Sequence, residues 1–293
     1  MKIYLSIILL VLLLNPAQSA VPFAELANLL ELAKKGDSAA QYYLGNRYKD
    51  GYGVSKNDKT AVMWYTKAAE QGSSRAQNDL GVMYYKGLGV PKNNKTAVMW
   101  YTKAAEQENS RAQNDLGIMY YKGLGVPKND NKAVMWYTRA AEAGNADAQN
   151  NLGISYDLGQ GVPKNDKKAV MWYKRSAEGG SANAQHNLGV RYESGRGVRE
   201  SDKTAVMWYT KSAEQGHPHG QYRLSLMYSK GEGVPKNDIR SYIWASMAKA
   251  NGYIERRQKN GDSLRPELLS KEQIAKAQEI AAKCYESDYK DCD

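Results

Sequence analysis

The chain has 293 residues, with 41 Lys and Arg against 31 Asp and Glu, a net charge of +10, 26 Gly, 22 Tyr, 6 Trp, 3 His and 2 Cys. Apolar residues at 42% and charged residues at 25% exclude a wholly disordered chain and a polytopic membrane protein. Two cysteines exclude a disulfide framework or a Cys-rich zinc module, and three histidines leave little for metal or acid–base chemistry.

Lys2 leads an apolar run, Ile3–Leu14, that ends in Asn15-Pro16-Ala17-Gln18-Ser19-Ala20. A basic start, a short apolar stretch, a helix-breaking Pro and small residues read as a Sec signal peptide over 1–19, cut after Ser19 or after Ala20. The run falls short of the ~20 apolar residues that span a bilayer; an uncleaved anchor is the alternative reading. No Cys stands at the cut, which argues against a lipoprotein. No later stretch could span a membrane, so the mature chain is expected to be periplasmic or secreted. Residues 20–39 follow as a half-repeat: Phe23, Leu26, Leu29, Leu30, Leu32 and Ala33, then Lys34-Lys35-Gly36, look like a second helix without its first.

The six tryptophans, Trp64, Trp100, Trp136, Trp172, Trp208 and Trp244, are each 36 residues apart. Such a period marks a stacked array of supersecondary units. Leu44, Leu80, Leu116, Leu152, Leu188 and Leu224 share one column, and Tyr48 to Tyr228 another. Of the 26 glycines, 22 fall in four columns. Six repeats therefore run from Ala40 to about Tyr253, and each reads as two helices. Ala76, Leu80, Gly81 and Tyr84 make one helical stripe; Ala97, Trp100, Tyr101, Ala104 and Ala105 make the second. Gly87-Leu88-Gly89 stops the first helix, Pro91-Lys92-Asn93-Asn94 is turn chemistry with a cap for the next, and Gly72, Gly144, Gly180, Gly216 and Gly252 close the second helix. Glu108 replaces Gly in the remaining row. The Ala and Gly columns permit close helix packing, and each Trp is expected in the core, filling the wedge between one pair and the next.

The row A-Q-N-D-L-G-V-M-Y-Y-K-G-L-G-V-P-K-N-N-K-T-A-V-M-W-Y-T-K-A-A-E-Q resembles the Sel-1-like repeat, a relative of the tetratricopeptide repeat. The resemblance covers about 214 of the 293 residues. Ser225, Ser241 and Lys249 depart from it in the last row, as suits a terminal repeat. The resemblance implies an all-α, right-handed α-solenoid of helix-turn-helix repeats whose concave side binds other proteins. Some Cys-rich relatives carry a proposed β-lactamase activity, but this chain lacks their disulfide in every repeat.

Residues 254–269 read as a linker, charged and Gly-rich over 256–266. Residues 270–293 read as a C-terminal capping helix and tail, with a capping box at Ser270-Lys271-Glu272-Gln273, a staple between Leu269 and Ile274, and a helix from Lys271 to about Tyr285. In an exported chain, Cys284 and Cys292 are expected to form a disulfide pinning the tail to that helix. Their spacing is not C-x-x-C, so no redox role is expected.

No catalytic residue, cofactor or metal is expected. Nucleophile motifs are absent, and the recurrent Gly-x-Gly-Val turns follow helices, not strands. His217-Pro218-His219 reads as a solvated turn, and His186 as a surface position. Lys56, Lys92, Lys128, Lys164 and Lys236 form a ridge that Asp residues two positions on largely offset; it serves solubility first and steers an acidic partner second. Export and the lack of any recognition motif argue against nucleic acid. Variation between rows places a partner site on the first helices: Tyr42, Asn78, Asp79, Tyr85, Asn114, Asp115, Tyr121, Asn150, His186 and Tyr222, as exposed groove residues suited to protein recognition. The expected function is a monomeric, non-catalytic scaffold or adaptor of the bacterial envelope. The alternatives are a periplasmic immunity protein against a lipase-type antibacterial effector, a secreted factor acting on a host, and a β-lactamase-like hydrolase.

Overall fold

The structure, a computed structural model, describes residues 23–253, 269–287 and 289. The expected cleavage site, the linker and Cys292, and with it the Cys284–Cys292 pairing, lie outside the described residues. The described residues contain fourteen helices and no strand. They are α1 (Phe23–Lys34), α2 (Ser38–Asp50), α3 (Asp58–Glu70), α4 (Ser74–Lys86), α5 (Asn94–Glu106), α6 (Ser110–Lys122) and α7 (Asp130–Glu142), followed by α8 (Ala146–Leu158), α9 (Asp166–Glu178), α10 (Ala182–Ser194), α11 (Asp202–Ala213), α12 (Pro218–Lys230), α13 (Asp238–Ala250) and α14 (Lys271–Glu286). This is an all-α solenoid of helix pairs. The chain forms two compact units that divide between Ala140 and Ala141, inside α7.

Local chemistry sets the helix ends. Each first helix begins at a polar side chain that accepts a backbone N–H three residues on: Asp37, Ser73 and Asn109 in the first unit, Asn145, Ser181 and His217 in the second. Each first helix stops at a Gly in the left-handed region, such as Gly87 at φ 74°, whose N–H returns to Met83 O. Second helices begin at Asn57, Asn93, Asn129 and Asn165, Ser201, Asn237, whose side chains accept in the same way.

In the first unit, helices approach closely because the glycine inside the first helix leaves room for a tyrosine ring. A Cβ on Gly81 would lie 2.7 Å from the Tyr101 ring. Trp100 packs with Ala61, Tyr65, Leu80 and Met83, so it joins its own repeat to the second helix of the repeat before. Trp64 does the same with Ala33 of α1, and Ala40 and Leu44 of α2, which gives the expected N-terminal half-repeat its packing role. In the second unit, Trp208 fills the same place against Ala169, Tyr173 and Leu188. All six tryptophans are buried.

The second unit is closed by α14. Ser270 and Gln273 make the reciprocal capping box, Ser270 N–H donating to Gln273 Oε1 at 2.8 Å and Gln273 N–H to Ser270 Oγ at 3.1 Å. Ala277 and Cys284 of α14 then bury against Ile243, Trp244 and Met247 of α13.

One structural column was not read from the sequence. The glutamine second in each row is buried and donates its side-chain N–H to a carbonyl at the end of the preceding helix: Gln41 to Ala33, Gln77 to Ala69, Gln113 to Ala105, Gln149 to Ala141, Gln185 to Ala177 and Gln221 to Ala213, at 3.0–3.2 Å. Each gives a second donor to a helix C-terminal carbonyl that already accepts the backbone N–H three residues on, as Ala69 O accepts Gly72 N–H at 3.0 Å. A second amide stands behind four of them, as Gln71 Nε2 donates to Gln41 Oε1 and Gln107 Nε2 to Gln77 Oε1, both at 2.7 Å. Gln215 and Asn251 repeat this on Gln185 and Gln221.

Candidate partner-binding groove

In the first unit, Tyr42 on α2, Arg75, Asn78 and Asp79 on α4, and Asn109, Ser110 and Arg111 at the start of α6 line a polar groove of about 480 Å3. Three of the sequence-derived residues, Tyr42, Asn78 and Asp79, converge here. Their exposure differs from expectation. Asn78 is only 6% exposed, and the next repeats bury Asn114, Asn150 and Tyr222 to a similar degree. The column lies where first helices pack side by side, so its residues form the floor of the groove, not its rim. Asn78 Oδ1 is buried with no hydrogen-bond partner, while its Nδ2 donates to Asp79 Oδ1 at 3.4 Å. Burial pushes the Tyr42 phenol pKa up, and the Asp79 carboxylate adds to the shift, so the hydroxyl stays protonated as a donor.

A second cavity, of about 580 Å3, opens between α1 and α2, walled by Leu29, Leu32, Tyr43 and Tyr52 and floored by Arg47. Arg47 donates to Glu25 at 3.0 Å and lies 4.4 Å from the Tyr52 ring centre, while its Nη1 is buried without a partner.

Tyr85 and Tyr121 are half-buried, and Asp115 shares the side of α6 with Asn114. Lys92 and Lys128, read as part of a ridge, stand over those rings at 5.7 and 5.6 Å. Lys128 also meets Asp130 at 3.6 Å, and Lys236 meets Asp238 at 3.6 Å in the second unit. Two of the five ridge lysines are thus paired with the aspartate two positions on.

The second unit carries a different polar cluster at the same register. His186, read as a surface position, is largely buried, and the three histidines converge. His186 lies 5.4 Å from His217 and 5.8 Å from His219 between ring centres, and His217 lies 5.6 Å from His219. His217 is no solvated turn residue: its Nδ1 accepts the Gly220 N–H at 3.1 Å and its Nε2 faces Asn183 Oδ1 at 3.0 Å, which fixes the Nε2–H tautomer. With both nitrogens engaged it offers no lone pair to a cation. Among the described residues, no group of three His, Cys, Asp or Glu is placed to hold a metal ion. Burial, then the neighbouring His217, holds the His186 pKa down to about 3; burial, then His219, holds His217 down to about 4. Tyr253 closes the cluster, edge-on to His219 at 5.3 Å and stacked on Tyr222 at 4.2 Å.

Deeper in the second unit, Arg191 is buried and donates to Asp157, while Arg196 reaches Asp157 at 3.1 Å and Asp166 at 3.0 Å. Arg191 stands in the column that holds Arg47, Met83 and Met119 in the first unit, and the second arginine of that column is a signal that could have flagged it.

The helix pairs, their 36-residue period and the Trp and Gly columns find their counterpart in the Sel1 repeat, which matches residues 38–73, 74–109, 110–145, 146–181, 182–217 and 218–253. The chain belongs to the Sel1 repeat family. This Sel1-repeat chain is 36% identical to a Sel1 repeat protein from Oxalobacter formigenes, over 79% of its own length and 98% of that chain, with a TM-score of 0.69. It is 35% identical to a protective antigen of uropathogenic Escherichia coli that displays the same repeat fold, over 90% of its own length but only 56% of that chain, with a TM-score of 0.74. An immunity protein from Pseudomonas aeruginosa, Pa5087, is 22% identical over 73% of this chain and 81% of that one, with a TM-score of 0.48. Comparison with curated protein sequences gives no match. Sel1 repeats build protein-interaction scaffolds, and no described helix is long and apolar enough to cross a membrane.

Proposed function

We propose that this chain is a non-catalytic adaptor of the bacterial envelope that binds a protein partner through the polar groove on its first helices. The observation that carries the reading is the buried, unpartnered Asn78 Oδ1 on the floor of the groove, flanked by Tyr42, Asp79, Arg75 and Arg111. A buried acceptor without a partner costs free energy that a ligand N–H recovers on binding. Two exposed arginines beside it favour a partner segment with an acidic side chain close to a free main-chain amide. The signal-like pattern of residues 1–19 supports export to the periplasm or beyond. A scaffold role is supported by the absence of nucleophile motifs and by the engagement of both His217 nitrogens.

The test is an affinity capture from envelope extract with the mature chain and with an Arg75→Glu/Arg111→Glu variant. A stoichiometric partner captured by the first and lost from the second supports the groove; a partner that both retain refutes it. Should the partner prove to be an antibacterial lipase, protection of cells against that lipase would make the adaptor an immunity protein.

A further inference from the structure

The outward face of the second helices has no role in the groove. On α3, α5 and α7 of the first unit and on α9 and α11 of the second, one methionine per helix stands outward: Met63, Met99, Met135, Met171 and Met207 are 40–44% exposed. Methionine is among the residue types most often fully buried, and its recurrence at one register on α3, α5 and α7 makes a stripe on the first unit, not scattered apolar surface. Positions four residues away share the same helical face. Lys59 and Lys67 bracket Met63, Lys95 and Lys103 bracket Met99, Lys167 and Arg175 bracket Met171, and Lys203 and Lys211 bracket Met207, all exposed. Arg139 follows Met135, with Asn131 before it.

The cation after each methionine is held in place. Its charged group lies 4.6–4.9 Å from the ring of the tryptophan on the same helix. One glutamate per helix is set seven residues beyond the methionine on the same face, so α3 and α5 each place two cations against one acid there and α7 one against one. Asp58 and Asp130, five residues before the methionine, fall on another side of their helices, which leaves this face with an excess of positive charge. None of these residues lines either cavity described above.

We propose that the Met–Lys/Arg face of the first unit docks the protein on an anionic phospholipid surface, with the methionines at the boundary of headgroups and acyl chains and the cations among the phosphates. Single apolar side chains set among fixed cations suit a fluid headgroup layer, which needs no register.

The full chain is tested by co-sedimentation with vesicles of phosphatidylcholine and phosphatidylglycerol, against phosphatidylcholine alone. Binding is expected to the anionic vesicles only and to weaken as salt rises. Lys59 and Lys95 lie in first helical turns, where an acid suits the helix dipole, so Lys59→Glu/Lys95→Glu keeps the fold. Each cation near an anionic leaflet contributes about fivefold in affinity, so this variant should bind at least about 25-fold more weakly. Met63→Gln/Met99→Gln/Met135→Gln should lose affinity severalfold and keep the salt dependence. Arg75→Glu/Arg111→Glu, the groove variant, should bind vesicles as the parent does, which separates this inference from the adaptor reading. Absence of binding to anionic vesicles, or binding that the lysine and methionine variants leave unchanged, overturns the proposal. Capture of polyglutamate through the same lysines without vesicle binding also overturns it and assigns the face to an acidic protein.

Discussion

The two units share a backbone plan and differ in what they place inside it. In the first, the column that faces the next repeat holds Met83 and Met119 after Arg47 in the first row, and the groove floor carries the neutral amide of Asn78. In the second, the same columns hold Ser155 and Arg191, and the floor is His186 with two further histidines around it. Small residues and aromatics fix the helix pairs in both, so the polar and ionic substitutions change chemistry without changing the framework.

Removing the common base should hurt both units alike. Trp136→Ala in the first and Trp172→Ala in the second are each expected to destabilise by about 3–5 kcal/mol, read as a shift in urea midpoint. A loss in only one would show that the tryptophans are not equivalent. The ionic core should separate the units. Asp157→Ala leaves Arg191 buried beside only Asp166 at 3.7 Å and is expected to cost about 3 kcal/mol. The double change Arg191→Met/Asp157→Tyr restores the residues of the first unit at both positions and should recover most of that loss. Failure to recover would mean that the ion pair, not its packing, holds the second unit.

Acid should also act on one unit first. Both His186 and His217 have folded pKa values below the ordinary 6.5, so the unfolded chain binds protons that the folded chain does not. Their contribution is whole above pH 6.5 and is lost as pH falls toward the depressed values. His186, the more buried, should cost about 1.4 kcal/mol per pH unit below 6.5; His217, partly exposed, less. Arg223, paired with Glu193 at 3.3 Å, faces the cluster and further disfavours a protonated His186, whose ring lies 6.0 Å from that of Tyr209. His186→Asn, which installs the first unit's residue, should flatten stability between pH 7 and pH 5 in a denaturant series. An unchanged slope would remove the histidine cluster as its source.

The smallest effect concerns one backbone angle. Glu108 stands at φ 60° where Gly72 and, in the second unit, Gly144, Gly180, Gly216 and Gly252 stand at φ 73–91°. A side chain in the left-handed region costs about 1 kcal/mol, so Glu108→Gly should raise stability by that amount in thermal melts.

Much of this was readable from residues alone. Column spacing revealed the helix pairs, the glycine stops and the departure at Glu108, because each depends on neighbours within one repeat, and the strict recurrence of Trp marked the joint between repeats; the capping box at Ser270 was legible as a local four-residue pattern. The histidine cluster was not legible: His186 and His217 lie 31 positions apart, and only stacking brings the start of one helix against the side of the previous one. The burial of Asn78 and Asn114 escaped for the same reason, since a first helix is covered by its counterpart in the next row. What the sequence misread is depth: Asn78 and Asn114, expected at the surface, are buried.

The glutamine column sets how the array comes apart. Each buried glutamine answers a carbonyl in the preceding helix, and four of the six are answered in turn by an amide further on, so those repeats open as linked steps. Gly179 stands where that second amide would approach Gln149, and the relay in the second unit is interrupted there. Opening that begins at one end of this unit therefore meets its weakest joint beside Gly179, and amide protons of α8 and α9 should exchange with solvent sooner than those of α10 to α13.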